Sequence, residues 1–291
     1  MAVQSARKKA DQVVGRADAR IPPERRVRHQ DRSPNDADAR AAAATTADRV
    51  FGLFDLFTEA EPIWTADALV ERLRSSKPTV YRYLRALIAA GFVAQVGVGT
   101  YALGPRIIEL DRQIRIADPL LKVAPPIMER QRDQVAGTQL LCRYYGLRVF
   151  SIFEDRCDPR IRTSFDRGRP FSLFRSSGSR IILANLPQPQ LQRLFLNHAD
   201  EVAAAGLGAT WPEFRETLKA IHRRGVAVAS DIDTALVGIA APIFAAPAVV
   251  SACLILVRIR NETTERDVAL LSTLATDAAR RISEHLQAAN N

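Results

Sequence analysis

The sequence is poor in cysteine, with three in 291 residues (Cys142, Cys157 and Cys253) and none in a C-x-x-C pair. Such scattered thiols exclude a disulfide framework and a zinc knuckle, and they fit a reducing compartment. The four histidines lie far apart, which argues against a metal site. No run of about 18 apolar residues occurs, and no apolar segment follows the charged N-terminus as a signal peptide requires. We therefore predict a cytoplasmic protein that uses no membrane, metal or cofactor.

Recognisable catalytic motifs are also missing. Gly97-Val98-Gly99 followed by Gly104 lacks the spacing of a dinucleotide loop, because the last glycine comes five residues on instead of three. No G-x-S-x-G elbow surrounds Ser176, Ser177 or Ser179, and no motif supplies them with a base. We therefore do not expect an enzyme.

The length and the charge of the chain are informative. At 291 residues, of which 47% are hydrophobic, the chain is long enough for about two domains. Its 41 Lys+Arg outnumber 32 Asp+Glu and give a net charge of +9, which favours a polyanionic partner. Residues 1–44 contain ten of the cations and few large apolar residues, so we expect a disordered arm there. The arm is either a solvated tail or an extra contact with nucleic-acid phosphates.

Residues 45–105 show the spacing of three short helices and a hairpin. Apolar residues at i, i+3, i+4 and i+7 from Val50 predict the first helix, and Thr65 is a suitable N-cap for the second. The third helix begins near Ser76 and ends at Gly91. Residues 92–103, with a turn from Gly97, predict a two-stranded hairpin. This order of elements is that of a winged helix-turn-helix domain.

The third helix separates an apolar side from a basic side, because at 100° per residue Arg82 lies nearly opposite the apolar positions. The residues expected to pack inward are Val80, Leu84, Leu87 and Ile88. Between Glu71 and Glu109 the chain has six Lys or Arg residues and no Asp or Glu. We therefore predict that this helix enters the major groove of double-stranded DNA, where arginine suits guanine and helix-terminal groups suit phosphate.

The predicted DNA-binding residues lie at the start of the third helix and in the wing of the hairpin. They are Ser75, Ser76, Lys77, Thr79, Tyr81, Arg82, Arg85, Gly99 and Thr100. Two alternatives stay open: the basic run is a solvated helix face, or the winged helix docks onto another protein.

The rest of the chain predicts a linker helix over 106–118 and an α+β domain over 119–291. In that domain we expect helices near 119–136, 176–186, 187–197, 211–224 and 263–288. Strands are expected near 138–145, 147–154, 160–166, 226–228 and 251–259. Cys157, beside Arg156 and Arg160, is either an ordinary loop residue or a redox-sensing thiol with a lowered pKa.

Several segments in order resemble the isocitrate lyase regulator (IclR) family of bacterial transcription factors. The resemblance covers residues 45 to about 285. Its segments are Lys77 to Leu87, Gly91-Phe92-Val93, Tyr101 to Arg106, Gly168 to Leu173, Leu183 to Pro187, Arg224 to Val228 and Ile239 to Phe244. The resemblance implies a GAF-like effector-binding domain, a homodimer or dimer of dimers, and a small-molecule effector, commonly an organic acid, that modulates operator binding.

Carried over by position, the resemblance places the effector at Ser176, Ser177, Gly178, Asp231 and Gly238. Hydroxyls and N–H groups at a helix start suit a carboxylate. The sequence departs from the family at Phe174 and at Ser179-Arg180, where His and Gly-Lys are usual, so the identity of the ligand does not carry over. Phe174 is either a core residue or an apolar wall of the pocket, and Asp231 is either a ligand contact or a turn cap.

We thus expect a transcriptional regulator, with two competing readings. One is a ligand-binding enzyme or protein-interaction module that uses the winged helix for docking, and the other is a repressor that needs no effector. We expect the linker helix to transmit the effector signal to paired DNA-binding domains.

Overall fold

The computed structural model describes residues 45–146, 148–163, 167–229 and 235–289. The described residues form two compact units, one ending at Ile107 and the other beginning at Ile108. The predicted arm over residues 1–44 and Asp231 lie outside the described residues. Among the described helices, none is both long enough and apolar enough to span a bilayer.

The first unit contains three helices and a three-stranded antiparallel sheet. In chain order these are α1 (Thr46–Phe54), β1 (Trp64–Thr65), α2 (Ala66–Arg72), α3 (Lys77–Ala89), β2 (Val93–Gly97) and β3 (Thr100–Leu103). The sheet has the order β1-β3-β2. The predicted helices and hairpin are confirmed, whereas the short strand β1 is an addition that the sequence pattern did not predict.

Local capping explains where these helices begin. Thr45 and Asp48 form a capping box at the start of α1. The Thr65 side chain accepts a hydrogen bond from the Ala68 N–H at 3.2 Å and caps α2, as predicted.

Arg74, in the turn between α2 and α3, is exposed and has a φ of 48°, a left-handed conformation in which glycine is commoner.

The end of α3 is set by two glycines. Gly91 follows α3 with a φ of 74°, and the Phe92 N–H donates to the Leu87 carbonyl at 2.9 Å, the pattern of a Schellman cap. A Cβ on Gly104 would lie 2.2 Å from the carbonyl oxygen of Gly91. A side chain at position 104 is therefore incompatible with this approach of β3 to the end of α3.

The core of the first unit confirms most of the predicted inward face of α3. Val80, Leu84 and Leu87 are buried. The prediction for Ile88 is wrong, since 38% of this residue is exposed, and Tyr83 is buried in its place. Adjacent positions on a helix differ by only 100°, so the edge of the apolar face is decided by which neighbours are present.

The second unit is built around a six-stranded antiparallel sheet with the order β6-β5-β4-β9-β8-β7. The strands are β4 (Thr138–Tyr145), β5 (Arg148–Arg156), β6 (Pro170–Phe171), β7 (Ala227–Ala229), β8 (Leu236–Ala246) and β9 (Val249–Ile259). The helices are α4 (Arg106–Ala117), which begins at the end of the first unit, α5 (Pro119–Arg130), α6 (Arg132–Val135), α7 (Ser177–Leu183), α8 (Gln188–Ala204), α9 (Trp211–Arg224) and α10 (Glu265–Ala289). A 3₁₀ turn spans Arg260–Glu262.

Alternate residues of the strands serve two cores. Along β9, Cys253, Ile255 and Val257 pack with residues of α7, α8 and α9. Leu254 and Leu256 pack with residues of α5 and α10. The period of two along a strand places these sets on opposite faces. The second unit therefore has helices on both sides of one sheet, and its α+β class is as predicted.

Three details of the second unit differ from the sequence prediction. The strand β8 is missing from the prediction because Pro242 interrupts its pattern, although Pro242 pairs with Cys253 in the ladder. Residues 160–163 form no strand, and 164–166 lie outside the described residues. The helix α8 extends seven residues beyond the predicted end at 197, through a kink at His198 where φ is −140°.

Candidate nucleic-acid interface and effector site

The start of α3 is positioned by the core beneath it. Val80 and Leu84 are fully buried, and Arg82 and Arg85 lie on the exposed side of the same helix. The guanidinium carbon of Arg82 lies 5.7 Å from the centroid of the Tyr83 ring, which supports its side chain from below. The helix therefore presents an exposed cationic surface on a rigid base.

Six of the predicted DNA-binding residues share this surface of α3 and its N-cap. Ser76, Lys77, Tyr81, Arg82 and Arg85 are exposed and Thr79 is half-buried. The Ser76 hydroxyl and the Thr79 hydroxyl are 2.9 Å apart, and the Ser76 side chain makes no capping hydrogen bond to the helix backbone. Both hydroxyls therefore lie at the helix start, where they can reach an anion.

Ser75 has a different environment from Ser76. It is half-buried, and its hydroxyl donates to the Leu73 carbonyl at 3.1 Å. A serine hydroxyl has a single proton, so this bond occupies the only group that Ser75 could donate to a phosphate. Ser75 is placed to shape the turn before α3 more than to donate to DNA.

Lys77 has a partner that the local sequence did not reveal. Its Nζ lies 2.7 Å from a carboxylate oxygen of Asp67 on α2, and both side chains are largely exposed. The hydrogen bond to Asp67 and the attraction between the two charges raise the pKa of Lys77. An exposed pair of this kind is weak, so a phosphate can compete with Asp67 for the lysine.

The wing places Gly99 and Thr100 at a tight turn. Gly97 pairs with Thr100, which leaves Val98 and Gly99 as the two turn residues, and Gly99 has a φ of 68°. Val98 is fully exposed at the tip. The tip therefore offers backbone groups and an apolar side chain to a partner, and any cationic contact must come from elsewhere in the unit.

Four of the five predicted effector residues meet where α7 begins. Ser176 is the N-cap of α7, and its buried hydroxyl accepts from the Ser179 N–H at 2.9 Å and donates to the Ser179 hydroxyl at 2.8 Å. The Ser179 hydroxyl in turn donates to the Ser172 carbonyl at 2.7 Å. These hydrogen bonds engage the Ser176 and Ser179 hydroxyls within the protein itself.

Gly178 and Gly238 are sites of close approach between α7 and the sheet. A Cβ on Gly178 would lie 2.6 Å from the Ile255 Cδ1 atom and 3.0 Å from the Cys253 Sγ atom. A Cβ on Gly238 would lie 2.7 Å from the hydroxyl of Ser177. The structure thus brings Ser177 and Gly238 together, and it gives both glycines a packing role. Asp231, the fifth residue, lies outside the described residues.

Phe174 lies in the core on the same side of the sheet and is 3% exposed. Two surface cavities of the second unit are lined by none of the four described effector residues. One of about 350 Å³ is lined by Asn185, His222, Phe244, Pro247, Ala248 and Gln287. The other, of about 240 Å³, is lined by Val237, Arg260, Thr263, Thr264, Glu265 and Val268.

The cysteines lie in unreactive surroundings. Burial raises the pKa of Cys157, and the nearby Asp155 carboxylate raises it further, so the expected alternative of a lowered thiol pKa is wrong. Cys142 and Cys253 pair across β4 and β9, and both are fully buried. Burial raises the pKa of Cys142 well above its usual value. Among the described residues, no three His, Cys, Asp or Glu side chains cluster as metal ligands.

Comparison with known proteins extends this picture. Residues 46–97 match the IclR helix-turn-helix domain, and residues 117–284 match the C-terminal domain of bacterial IclR transcriptional regulators. The HTH-type transcriptional regulator KipR of Bacillus subtilis is 25% identical over 245 residues, which cover 83% of this chain and 96% of KipR.

Solved structures share the fold. A putative transcriptional regulator from Rhodococcus sp. RHA1 superposes with a TM-score of 0.68 at 19% identity, over 85% of this chain and 100% of that one. An IclR homologue from Microbacterium hydrocarbonoxydans, complexed with 4-hydroxybenzoate, has a TM-score of 0.65 at 21% identity, over 84% of this chain and 100% of its own. With both domains matched in the order observed here, the chain belongs to the IclR family of transcriptional regulators, with an N-terminal helix-turn-helix domain that binds DNA.

Proposed function

We propose that the protein regulates transcription in the cytoplasm by binding a specific operator and that a small organic acid changes its affinity for that operator. The observation that carries the DNA contact is the exposed face of α3, where Lys77, Arg82 and Arg85 lie opposite a fully buried side. The N-terminal half of α3 enters the major groove, and Gly99 and Thr100 of the wing lie along the backbone.

The proposed effector site is formed by Ser176, Ser177, Gly178 and Gly238, with Asp231 from the neighbouring segment. The contact between Ser177 and Gly238 supports a single site for these residues. The 4-hydroxybenzoate complex of a structural neighbour supports the idea that this fold accommodates a small acid. Because the Ser176 and Ser179 hydroxyls bond to each other and to the protein, a ligand here must displace existing hydrogen bonds or use Ser177.

We also propose a homodimer or a dimer of dimers, since paired half-sites require paired DNA-binding units. The linker helix α4 supports an assembly because it contains no buried residue in the single chain, and Ile108 and Ile114 are 74% and 55% exposed. Light scattering on the purified protein tests this part, and a monomer at micromolar concentration would contradict it.

A gel-shift titration of the full chain against fragments of its source genome tests the DNA contact. We expect one or a few fragments to be retained, with log affinity falling linearly against log salt at a slope of about −0.9 per phosphate contact. If no fragment is retained at any salt concentration, the protein-interaction reading gains support. A thermal-shift panel of organic acids that includes 4-hydroxybenzoate tests the effector, and a flat panel would favour a repressor that needs no effector.

A further inference from the structure

The strand pair β4–β5 contains a bulge that leaves one residue outside the ladder of paired residues. Leu141 pairs with Phe153 and Cys142 pairs with Ser151, so Ile152 has no residue opposite it. An extra residue of this kind is left outside the hydrogen-bond ladder, and bulges commonly redirect a strand at functional positions. The Ile152 carbonyl is consequently available to a side chain.

Arg167 donates hydrogen bonds to that carbonyl and to the linker helix at the same time. Its Nη1 atom donates to the Ile152 carbonyl at 2.5 Å. Its Nε and Nη2 atoms donate to one carboxylate oxygen of Asp111, on α4, at 3.1 and 2.7 Å. The guanidinium makes both contacts at once because its donors lie on three separate nitrogen atoms, whereas the donors of an ammonium all diverge from one atom. Arg167 therefore connects the bulge of β5 to the linker helix.

A second ion pair joins the residue after the linker helix to β4. Asp118, directly after α4, accepts a hydrogen bond from Arg143 Nη2 at 2.5 Å, and its side chain is 8% exposed. Arg143 lies on β4 opposite Phe150, the residue before Ser151. One contact thus reaches β5 at the bulged residue, and the other reaches β4 at the residue after Cys142.

The other residue of the bulge, Ser151, lies on the face of the sheet that packs against α7, where the effector site is proposed. Ser151 pairs with Cys142, which belongs to the same core as Leu173 and Ile181, so Ser151 shares that face of the sheet. Ser151 is 1% exposed, and its hydroxyl has no hydrogen-bond partner among the residues that the structure describes. An unpaired buried hydroxyl is costly, so any group that pairs with it changes the energy of the bulge.

We propose that Arg167 is the positioning residue through which a change at the Ser151–Ile152 bulge reaches the linker helix. The inference rests on the proposed function, in which that helix leads to the DNA-binding unit. A ligand that pairs with the Ser151 hydroxyl shifts the bulge, the Ile152 carbonyl moves with it, and Arg167 transfers the shift to Asp111. This role requires that the Arg167 side chain contact both the Ile152 carbonyl and the Asp111 carboxylate.

Hydrogen–deuterium exchange of the full chain tests the connection without a ligand. We expect Arg167→Gln, Arg167→Lys and Asp111→Asn each to speed exchange of amides 108–117 by about tenfold or more, and to leave α3 unchanged. The control is Arg148→Gln, which changes an exposed arginine on β5 and should have no effect on these amides. A double variant of Arg167 and Asp111 should exceed either single variant by less than about twofold. Unchanged exchange in Arg167→Gln, or retention of the contact by Arg167→Lys, would overturn the proposal.

The bulge itself has a matched pair of variants. Ser151→Ala removes the unpaired hydroxyl at the bulge, and Thr138→Val removes a second unpaired buried hydroxyl on β4, away from it. We expect Ser151→Ala to change linker exchange by about threefold and to lose this effect in the Arg167→Gln background, with Thr138→Val neutral. Equal effects of the two variants would overturn transmission through the bulge. If no DNA fragment is retained, the proposed function fails, while exchange still decides the role of Arg167.

Discussion

Two helices of this protein begin alike and end up in opposite environments. Ser76 occupies the N-cap position of α3 with φ and ψ of −68° and 148°, and Ser176 occupies the N-cap position of α7 with −77° and 154°. The Ser76 side chain is exposed and leaves the backbone of its helix uncapped, whereas the Ser176 hydroxyl is buried and bonded to Ser179. The same residue type at the same backbone position is thus exposed in one unit, an open start, and held by internal hydrogen bonds in the other, a closed start where a ligand must displace those bonds or use Ser177.

The difference shows that the surroundings decide whether a helix start offers its hydroxyl to a ligand directly or only after internal hydrogen bonds are displaced. The α7 start packs so closely on β9 that Gly178 has no room for a side chain, and the α3 start projects from its core. We expect variants of α7 to act on stability and variants of α3 to act on DNA affinity.

The largest expected effect comes from adding bulk to the closed helix. Gly178→Val places a branched side chain where even a Cβ lies 2.6 Å from Ile255, and we expect it to lower the free energy of unfolding by about 3 kcal/mol. The matched change on the open helix, Ala86→Val, lies on an exposed face and should cost about 0.5 kcal/mol. Urea denaturation of both variants measures the two losses in the free energy of unfolding, and equal losses would contradict the comparison.

Arg82→Ala should weaken operator binding by about tenfold to a hundredfold, because a bidentate contact with a base accounts for about 1–3 kcal/mol. Its free energy of unfolding should stay within about 0.5 kcal/mol of wild type, since the side chain is exposed. Fluorescence anisotropy with a labelled operator measures the affinity. Arg193→Ala, on α8 of the other unit, is the control and should bind as wild type does.

The two N-cap serines give a direct test of the comparison. Ser176→Ala should lower the free energy of unfolding by about 1–2 kcal/mol, because it leaves the Ser179 N–H without its partner. Ser76→Ala should cost less than about 0.5 kcal/mol but should weaken DNA binding about threefold through a lost phosphate contact. Thermal melts and anisotropy separate the two quantities. A reversed outcome would mean that the α7 start is the open one.

The smallest expected effect concerns the partner of Lys77. Asp67→Asn removes the carboxylate that holds this lysine, so we expect DNA affinity to rise about twofold. The slope of log affinity against log salt should become steeper by up to about one unit, as one more cation reaches the phosphates. An unchanged slope would show that Lys77 already contacts DNA in the wild-type protein.

The order of elements and the main outline of the DNA-binding face were predictable from the sequence. The positions of Thr65, Ser76 and Gly91 determine local backbone geometry, and that information is contained in a few neighbouring residues. The inward set of α3 was predictable for the same reason, except at its edge, where Tyr83 and Ile88 exchange roles. Most elements of the second unit were predictable from the same kind of pattern, and the family motifs followed the same order.

Contacts between distant segments were not predictable. Asp67 reaches Lys77 from another helix, and β1 forms only because Trp64 and Thr65 meet β3. The strand β8 was hidden by Pro242, whose place in a sheet depends on which side of the strand needs an N–H. The effector residues were located by resemblance alone, and the bonding among Ser172, Ser176 and Ser179 is visible only in three dimensions.

The left-handed conformation of Arg74 has a consequence for engineering. A non-glycine residue at a φ of 48° stores about 1 kcal/mol of backbone strain, and Arg74→Gly would release it. That change also removes a cation three residues before α3, so the variant should lose part of its attraction to DNA. Relief of backbone strain would therefore favour glycine at position 74, whereas attraction to DNA would favour arginine.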